Sequence, residues 1–475
     1  MNAVRPDRLK LLLRQFRPIL DRYIRSAESS GGDFGRVEDA AGDAISRIRP
    51  LLVSAGLAAS AEEAPTFCCP NCARPLSAWS LGPRTIGTAQ GDGSYPAVRY
   101  RCNACNQDHY PIEEANGLEG DQFTTGAKGV IGEAAADAPC AHVCNALREA
   151  RSITVSAKEV DRTARETAQW RRTEEERVTA SVYGGEALAA WLDGAEAPEP
   201  PPQPYSLDGW DAHTPALISV DGGMVRSTTA GPDGPEWFEC RAGMIATADE
   251  KSPGRKLYVG GVATADALFD QLGAAWQQCN GGERTVLFIA DGATWIWDRA
   301  GLYFPSALEL LDIYHAGDHV GKAARACWGE GSTEAKLWVG RAREMLLAPN
   351  GPKEILRSLT AALRQHKAGP DGGAKMVNEA EFLKEFRYLW THRHRMWYAR
   401  AKAMGLPVGS GAVESGIKQL IIARLRQAGM KWTRQGADAV MRLRCARLSG
   451  NLDGTVRRRQ SELHKCLERY QPAAA

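Results

Sequence analysis

Two Cys-x-x-Cys pairs constrain this chain more tightly than anything else in it. Cys69-Pro-Asn-Cys72 and Cys102-Asn-Ala-Cys105 stand with 29 residues between them. Four thiolates complete a tetrahedral zinc shell, and each pair presents two sulfurs to one ion. With every position taken by sulfur, such a metal supports a fold and has no open position for chemistry. Cys68 is an alternative to Cys69 but breaks the spacing, and a thiol redox pair is the competing reading. The interval contains GDGSYP, which reads as a hairpin tip. The other cysteines, Cys140, Cys144, Cys240, Cys279, Cys327, Cys445 and Cys466, are scattered through helix and strand patterns, as buried thiols are in a reducing compartment.

At 475 residues the chain exceeds one ordinary domain, and about 150 residues per domain implies about three. Apolar content of 44% and charged content of 24% are those of a folded water-soluble chain. No run approaches the ~20 apolar residues of a membrane helix. The start, MNAVRPDRLKLLLRQF, lacks the apolar core and small-residue cleavage site of a signal peptide. The expected location is therefore cytoplasmic, and nucleoid-associated if the partner is DNA. A net charge of +2 conceals an asymmetry, since from Arg387 onward eighteen Lys or Arg face five Asp or Glu. A basic end on a nearly neutral protein fits a polyanionic partner, or a solvated helical surface.

Residues 1–62 carry leucines at helical spacing (Leu9, Leu12, Leu13, Phe16, Ile19, Leu20). Residues 63–122 form the turn-rich cysteine module. Residues 123–195 return to helices, and Ser156 with Glu159 makes a capping-box pattern that starts one. Helix, short turn, helix is the outline of a helix-turn-helix, a DNA-binding candidate. Residues 196–212 are a Pro-rich linker. Beyond it, strand patterns at 216–220, 236–248 and KLYVGGV precede a helix through ALFDQLGAAWQQC. Two more strands follow, at 285–290 and 307–315. The resulting core, residues 213–319, has an α/β layout. Residues 320–405 are helical, with a GPDGG turn near residue 370. Residues 406–450 resume with GLPVGSG and a helix over 412–427 whose apolar face is Val413, Ile417, Leu420 and Ile421. Residues 451–475 read as a basic tail.

Asp221 and Asp291 each follow a buried strand run, and each precedes glycine (SVDGGM and IADGAT). Carboxylates on neighbouring strands can hold hard cations such as Mg²⁺, whereas a plain Asp-Gly turn is the simpler account of either one alone. Glu414 lies one turn into the 412–427 helix. It either complements that helix's N-terminus, pairs with Lys418, or is aimed across the sheet at the two aspartates. Lys418, Arg424, Arg426, Lys431 and Arg434 are candidates for phosphate contact. Two metal ions roughly 4 Å apart, held by such carboxylates, suit in-line phosphoryl displacement.

These pieces together resemble bacterial insertion-sequence transposases of the Kra type, relatives of the Mutator-like Asp-Asp-Glu group. The resemblance rests on the CPNC…CNAC ribbon running into HYPIEEANGLEG, on SVDGGMV, IADGATWIW and LDIYHAGDHV, and on GLPVGSGAVESGIKQLI, across most of residues 66–447. It implies a ribonuclease-H-like catalytic domain with an all-helical insertion before the glutamate helix, preceded by a zinc-ribbon-like module and helical DNA-binding segments. It implies a catalytic triad of Asp221, Asp291 and Glu414 using two Mg²⁺ or Mn²⁺ ions, a structural zinc, and DNA ends and target DNA as partners. It also implies a homodimer or larger assembly. Asp312-Ile-Tyr-His315 fits an Asp-x-x-His element of the Mutator-like relatives, which makes Asp312, His315 and His319 auxiliary candidates, while Trp295 and Trp297 read as packing anchors. A nuclease or resolvase on the same fold, and a zinc-containing DNA-binding protein without activity, are the competing expectations.

Overall fold

A computed structural model describes residues 6–62, 66–184, 200–207, 210, 214–231, 234–248, 256–279, 282, 284–367, 376–409 and 418–471. The chain divides into two compact units, Met1–Arg171 with Leu452–Ala475, and Arg172–Asn451. Among the described residues no helix is long and apolar enough to cross a membrane.

The first unit opens with α1 (Pro6–Glu28) and α2 (Phe34–Glu62). An antiparallel hairpin follows, β1 (Ser77–Thr88) with β2 (Gly91–Cys102), and β3 (Gln107–His109) adds a short third strand. The hairpin turns at Ala89–Gln90, so GDGSYP lies within β2 and is not the tip. The cause is tertiary. α2 packs so close to the strand that a Cβ on Gly93 would stand 2.5 Å from Val53 Cγ1. The sequence shows turn-forming glycine where the packing requires a missing side chain. The short helix α3 (Pro111–Ala115) is followed by α4 (Thr125–Asp137), α5 (Cys140–Arg151) and α6 (Ala157–Tyr183). The capping box at the start of α6 forms in both directions. Ser156 N–H donates to Glu159 Oε2 at 2.8 Å, and Glu159 N–H donates to Ser156 Oγ at 3.3 Å. Residues 452–470, read from the sequence as tail, form a helix (Leu452–Lys465) and a 3-10 turn (Cys466–Tyr470) within this unit. That helix lies against α4, where a Cβ on Gly129 would stand 2.6 Å from Val456 Cγ2.

The second unit is built on a mixed five-stranded sheet, ordered β6-β5-β4-β7-β8. Its strands are β4 (Ala216–Gly231), β5 (Gly234–Thr247), β6 (Leu257–Gly261), β7 (Val286–Ala290) and β8 (Leu308–Leu311). β4, β7 and β8 are mutually parallel, and β5 runs antiparallel to both neighbours. Between them lie α7 (Ala265–Gln278) and α8 (Thr294–Tyr303). After β8 the chain is helical: α9 (Ile313–Trp328), α10 (Thr333–Leu346), α11 (Gly351–Lys367), α12 (Glu379–Thr391) and α13 (Tyr398–Ala403). A wide helical turn over Lys418–Ile422 runs into a single α-turn, Ala423–Leu425, and α14 spans Arg434–Leu448. The GPDGG turn expected near residue 370 lies outside the described residues.

Strand alternation divides the core. Ala216, Ile218 and Val220 of β4, with Phe288 and Ala290 of β7, face one layer with α7 and α8. Leu217 and Val225, with Leu287 and Ile289, face the other layer, built from α9 to α13, Leu420, Ile421 and α14. The Pro-rich stretch is more than a spacer, because Tyr205 is buried in the first of these layers and its hydroxyl accepts from Gln271 Nε2 at 3.1 Å.

Two local features differ from the sequence reading. β4 does not end at Asp221 but continues through it to Gly231. The fifth strand stops at Leu311, and Asp312 caps α9, its carboxylate accepting from the Tyr314 and His315 amides at 2.7 and 3.0 Å. An Asp N-cap wins over the strand-like Ile313-Tyr314 because it satisfies two amides that a helix start leaves unpaired.

Candidate metal centres and the acidic strand edge

In the first unit the sulfurs of Cys69, Cys72, Cys102 and Cys105 all lie within 4.8 Å of one another. Two tight knuckles produce this. The Cys105 amide donates to Cys102 Sγ at 3.3 Å, and Cys72 Sγ lies 3.5 Å from Cys102 Sγ. That amide is the main reason the Cys102 thiol is lowered to about 7, a shift toward the thiolate a metal needs. The donor set and its closeness fit a tetrahedral zinc ion. Cys68 is not among the four. It is buried, and its amide donates to the Tyr470 carbonyl at 2.7 Å. Phe67, Tyr100 and Tyr470 pack around the cluster. Tyr470, distant in sequence, closes the module, and its hydroxyl donates to Glu114 Oε1 at 2.8 Å.

In the second unit the strand registers set the acidic residues in line. The parallel pair Ile218↔Phe288, carried three residues on, brings Asp221 beside Asp291. The pair Ala290↔Leu311, carried one residue on, brings Asp291 beside Asp312. Adjacent strands lie about 4.8 Å apart. The carboxyl edge of parallel strands is where open α/β sheets bind ligands. By alternation the side chains of Asp221 and Asp291 share the face of Leu217 and Ile289, the face covered by α9 and by Ile421.

Burial raises the Asp221 carboxyl to about 6, and Asp291 and Glu239 add to the rise while the Gly222 amide and His315 oppose it. Asp291 Oδ1 accepts from the Ala293 amide at 2.9 Å, and the Asp291 carbonyl accepts from Trp297 Nε1 at 2.7 Å. His315 is raised, first by its hydrogen bond to Asp312 and further by Asp291 and Asp221. Fully buried Asp312 thus orients His315 toward the aspartates. His319 turns elsewhere: it is stacked on Tyr388 with ring centres 3.4 Å apart, hydrogen-bonds Glu385, and is lowered by burial.

The glycines after Asp221 lie in strand, whereas Gly292 sits in the bend between β7 and α8. Gly222 lies in β4 opposite Arg241, and a Cβ there would collide with the Glu239 carboxylate. A Cβ on Gly223 would stand 3.0 Å from Ile421 Cγ2. One on Gly292 would fall within the Tyr388 ring. Each glycine clears space for a distant part of the chain.

Glu414 and the side chain of Lys418 lie outside the described residues. The chain on both sides of Glu414 does not. The Val408 carbonyl accepts from the Ile313 amide at 3.2 Å, next to Asp312, and Leu420 and Ile421 are buried against the sheet. Among the described residues, the four cysteines are the one set of three or more His, Cys, Asp or Glu side chains whose donor atoms all lie within 4.8 Å of one another. Among the described residues, the acidic edge therefore offers two aspartates in neighbouring register and no third donor that completes a cluster with them. Of the candidate phosphate-binding cations, Arg426, Lys431 and Arg434 are exposed. Arg424 is buried, with its guanidinium 4.9 Å from the Trp432 ring centre. Sequence reasoning missed Glu239, Arg241, Glu385 and Tyr388. The alternation of Glu239 and Arg241 with buried Cys240 and Ala242 was the available signal for the first two, and the latter two come from the insertion with no local mark.

No protein-family model matches the chain, and no curated protein matches it. Among solved structures the chain is similar to the Drosophila P element transposase strand transfer complex, at 8% identity and a TM-score of 0.24, covering 75% of this chain and 86% of that one. A TM-score of that size leaves fold and activity to be argued from this chain's own residues.

Proposed function

We propose that this chain is an Asp-Asp-Glu transposase of the Kra type, with a ribonuclease-H-like catalytic domain whose carboxylates are Asp221, Asp291 and Glu414. One observation carries the proposal: two aspartates stand side by side on parallel strands, pointing to one face, and the chain flanking Glu414 is fastened to that edge on both sides. The raised Asp221 carboxyl supports the same reading, since burial first, and then the neighbouring Asp291 and Glu239, disfavour its ionisation without a cation. Asp221, Asp291 and Glu414 would hold Mg²⁺ or Mn²⁺, which supplies activation of the attacking oxygen and stabilisation of the leaving oxygen. Asp312 is then a positioning residue for His315. Arg426, Lys431 and Arg434 are suited to phosphate contact, the helical pair α5–α6 to duplex DNA, and the four cysteines to a structural zinc. Bringing two DNA ends together requires a dimer or larger assembly.

The test is a strand-transfer assay with the full chain, Mg²⁺ or Mn²⁺, DNA carrying the sequences that flank its gene, and a target plasmid. Joined products are expected from the wild type and none above background from Asp221→Asn, Asp291→Asn or Glu414→Gln. Cleavage without joining identifies a nuclease instead. Binding without cleavage identifies a DNA-binding protein. Joining that survives all three substitutions removes the site assignment.

A further inference from the structure

The insertion helices enclose a groove that the carboxylate edge does not use. It lies between α11 and the Trp390–Arg400 stretch, with a volume of about 1310 Å³. Small-molecule sites usually span roughly 300–1,000 Å³, so this one suits an extended ligand. Lys353, Arg357, Arg364, Arg393, His394 and Arg400 line it, and no carboxylate does. Lys353, Arg357 and Arg364 recur along one face of α11, a stripe about 16 Å long at the helical rise of ~1.5 Å per residue. All six side chains are exposed, the five Lys and Arg among them cationic. Arg357 is paired with Glu354, whereas among the described residues Lys353, Arg364 and Arg400 take part in no ion pair.

The opposite wall is aromatic. Trp390 is 49% exposed, with the Arg393 guanidinium 4.6 Å from its ring centre. Trp397 is fixed by donating Nε1–H to the Glu309 carbonyl at 2.6 Å, and Tyr398 is fully buried beneath. A row of exposed cations, Lys353 and Arg364 in it without an ion pair among the described residues, facing a half-exposed indole is an arrangement that tracks a phosphate backbone and stacks an unpaired base. Duplex bases already stack on one another and gain nothing from the indole. Arg395, between Arg393 and Trp397, lies 4.2 Å over the Trp297 ring centre, and Trp297 bonds the Asp291 carbonyl.

We propose that this groove binds single-stranded DNA, its backbone along the α11 stripe and a base on Trp390. The proposal stands apart from the reading of Asp221 and Asp291. It is therefore tested with no Mg²⁺ or Mn²⁺ present, so that its failure leaves the carboxylate site untouched. The full chain is titrated into fluorescein-labelled oligo-dT of 15 nucleotides, a duplex of equal length and a 15-residue poly-glutamate, with anisotropy as readout. Trp390→Ala is expected to weaken oligo-dT at least about fivefold and leave the duplex unchanged. The triple variant Lys353→Ala, Arg364→Ala, Arg400→Ala is expected to reduce the salt slope for oligo-dT by about two, at ~0.7 per phosphate lost. On the wild type, photocrosslinking to 5-iododeoxyuridine in the oligonucleotide should yield adducts on peptides within residues 348–400. Equal weakening of duplex and single strand by Trp390→Ala, poly-glutamate binding as tight as oligo-dT, or crosslinks confined to other peptides would each overturn the proposal.

Discussion

The buried Asp221 carboxyl is costly to this protein when ionised, and the cost is measurable. Burial and its acidic neighbours raise it from 3.8 to about 6. The folded state therefore holds a proton that the unfolded chain has released, and stability falls as pH rises through the window from about 4 to 6. Above that window the full penalty is present. The shift corresponds to about 3 kcal/mol as a ceiling, at 1.36 kcal/mol per pKa unit. Asp221→Asn keeps the shape and removes the charge, so it should stabilise the cation-free protein at pH 7.5. At roughly 2–4 °C per kcal/mol for a large domain, melting followed by circular dichroism should show a rise of up to about 6–12 °C. The gain should vanish at pH 4, where the wild-type carboxyl is also neutral. Added Mn²⁺ should raise the melting temperature of the wild type and not of Asp221→Asn, because binding stabilises only the state that holds the ion. A neutral or destabilised Asp221→Asn at pH 7.5, or an equal gain at both pH values, would refute the account of a strained, cation-seeking carboxylate.

The cysteine cluster should bring one zinc per chain through purification, read by atomic absorption, and Cys102→Ser should lose that zinc and expose the module around Phe67 and Tyr470 to limited proteolysis. Stoichiometric zinc retained in Cys102→Ser would count against a four-sulfur site. Gly292→Ala should cost about 1–3 kcal/mol by overpacking, since its methyl enters the Tyr388 ring. In urea titrations Gly292→Ala with Tyr388→Ala should lose clearly less than the two single losses combined, and strict additivity would show that the collision is relieved elsewhere.

Local chemistry made much of the scaffold legible. The capping box at Ser156, the Cys-x-x-Cys pairs and the buried strand runs each carry their cause within a few residues, and each formed. What local chemistry misreads is a residue whose reason lies far away. Gly93 resembles a turn glycine but serves Val53 of α2. Tyr388 and Glu385 reach the neighbourhood of Asp291 only because α12 packs back toward the sheet, so no window around Asp291 contains them. Asp312 is the intermediate case. Its capping role was readable from an Asp before a polar-apolar helical pattern, and the β-branched and aromatic residues around it outweighed that sign.

The two glycines after Asp221 show why this distinction bears on function. Read locally, Asp-Gly-Gly is a turn, and the aspartate is there for its turn chemistry. In the folded chain the backbone runs straight through as strand, and the glycines serve opposite faces. Gly222 admits the Glu239 carboxylate, and Gly223, on the same face as Asp221, admits Ile421. A side chain at position 223 would push away the turn that follows Glu414. The sequence Asp221-Gly222-Gly223 thus specifies a carboxylate together with the seat for the segment proposed to complete it. A turn aspartate needs no such seat, and this favours a site over a turn more strongly than the aspartates alone.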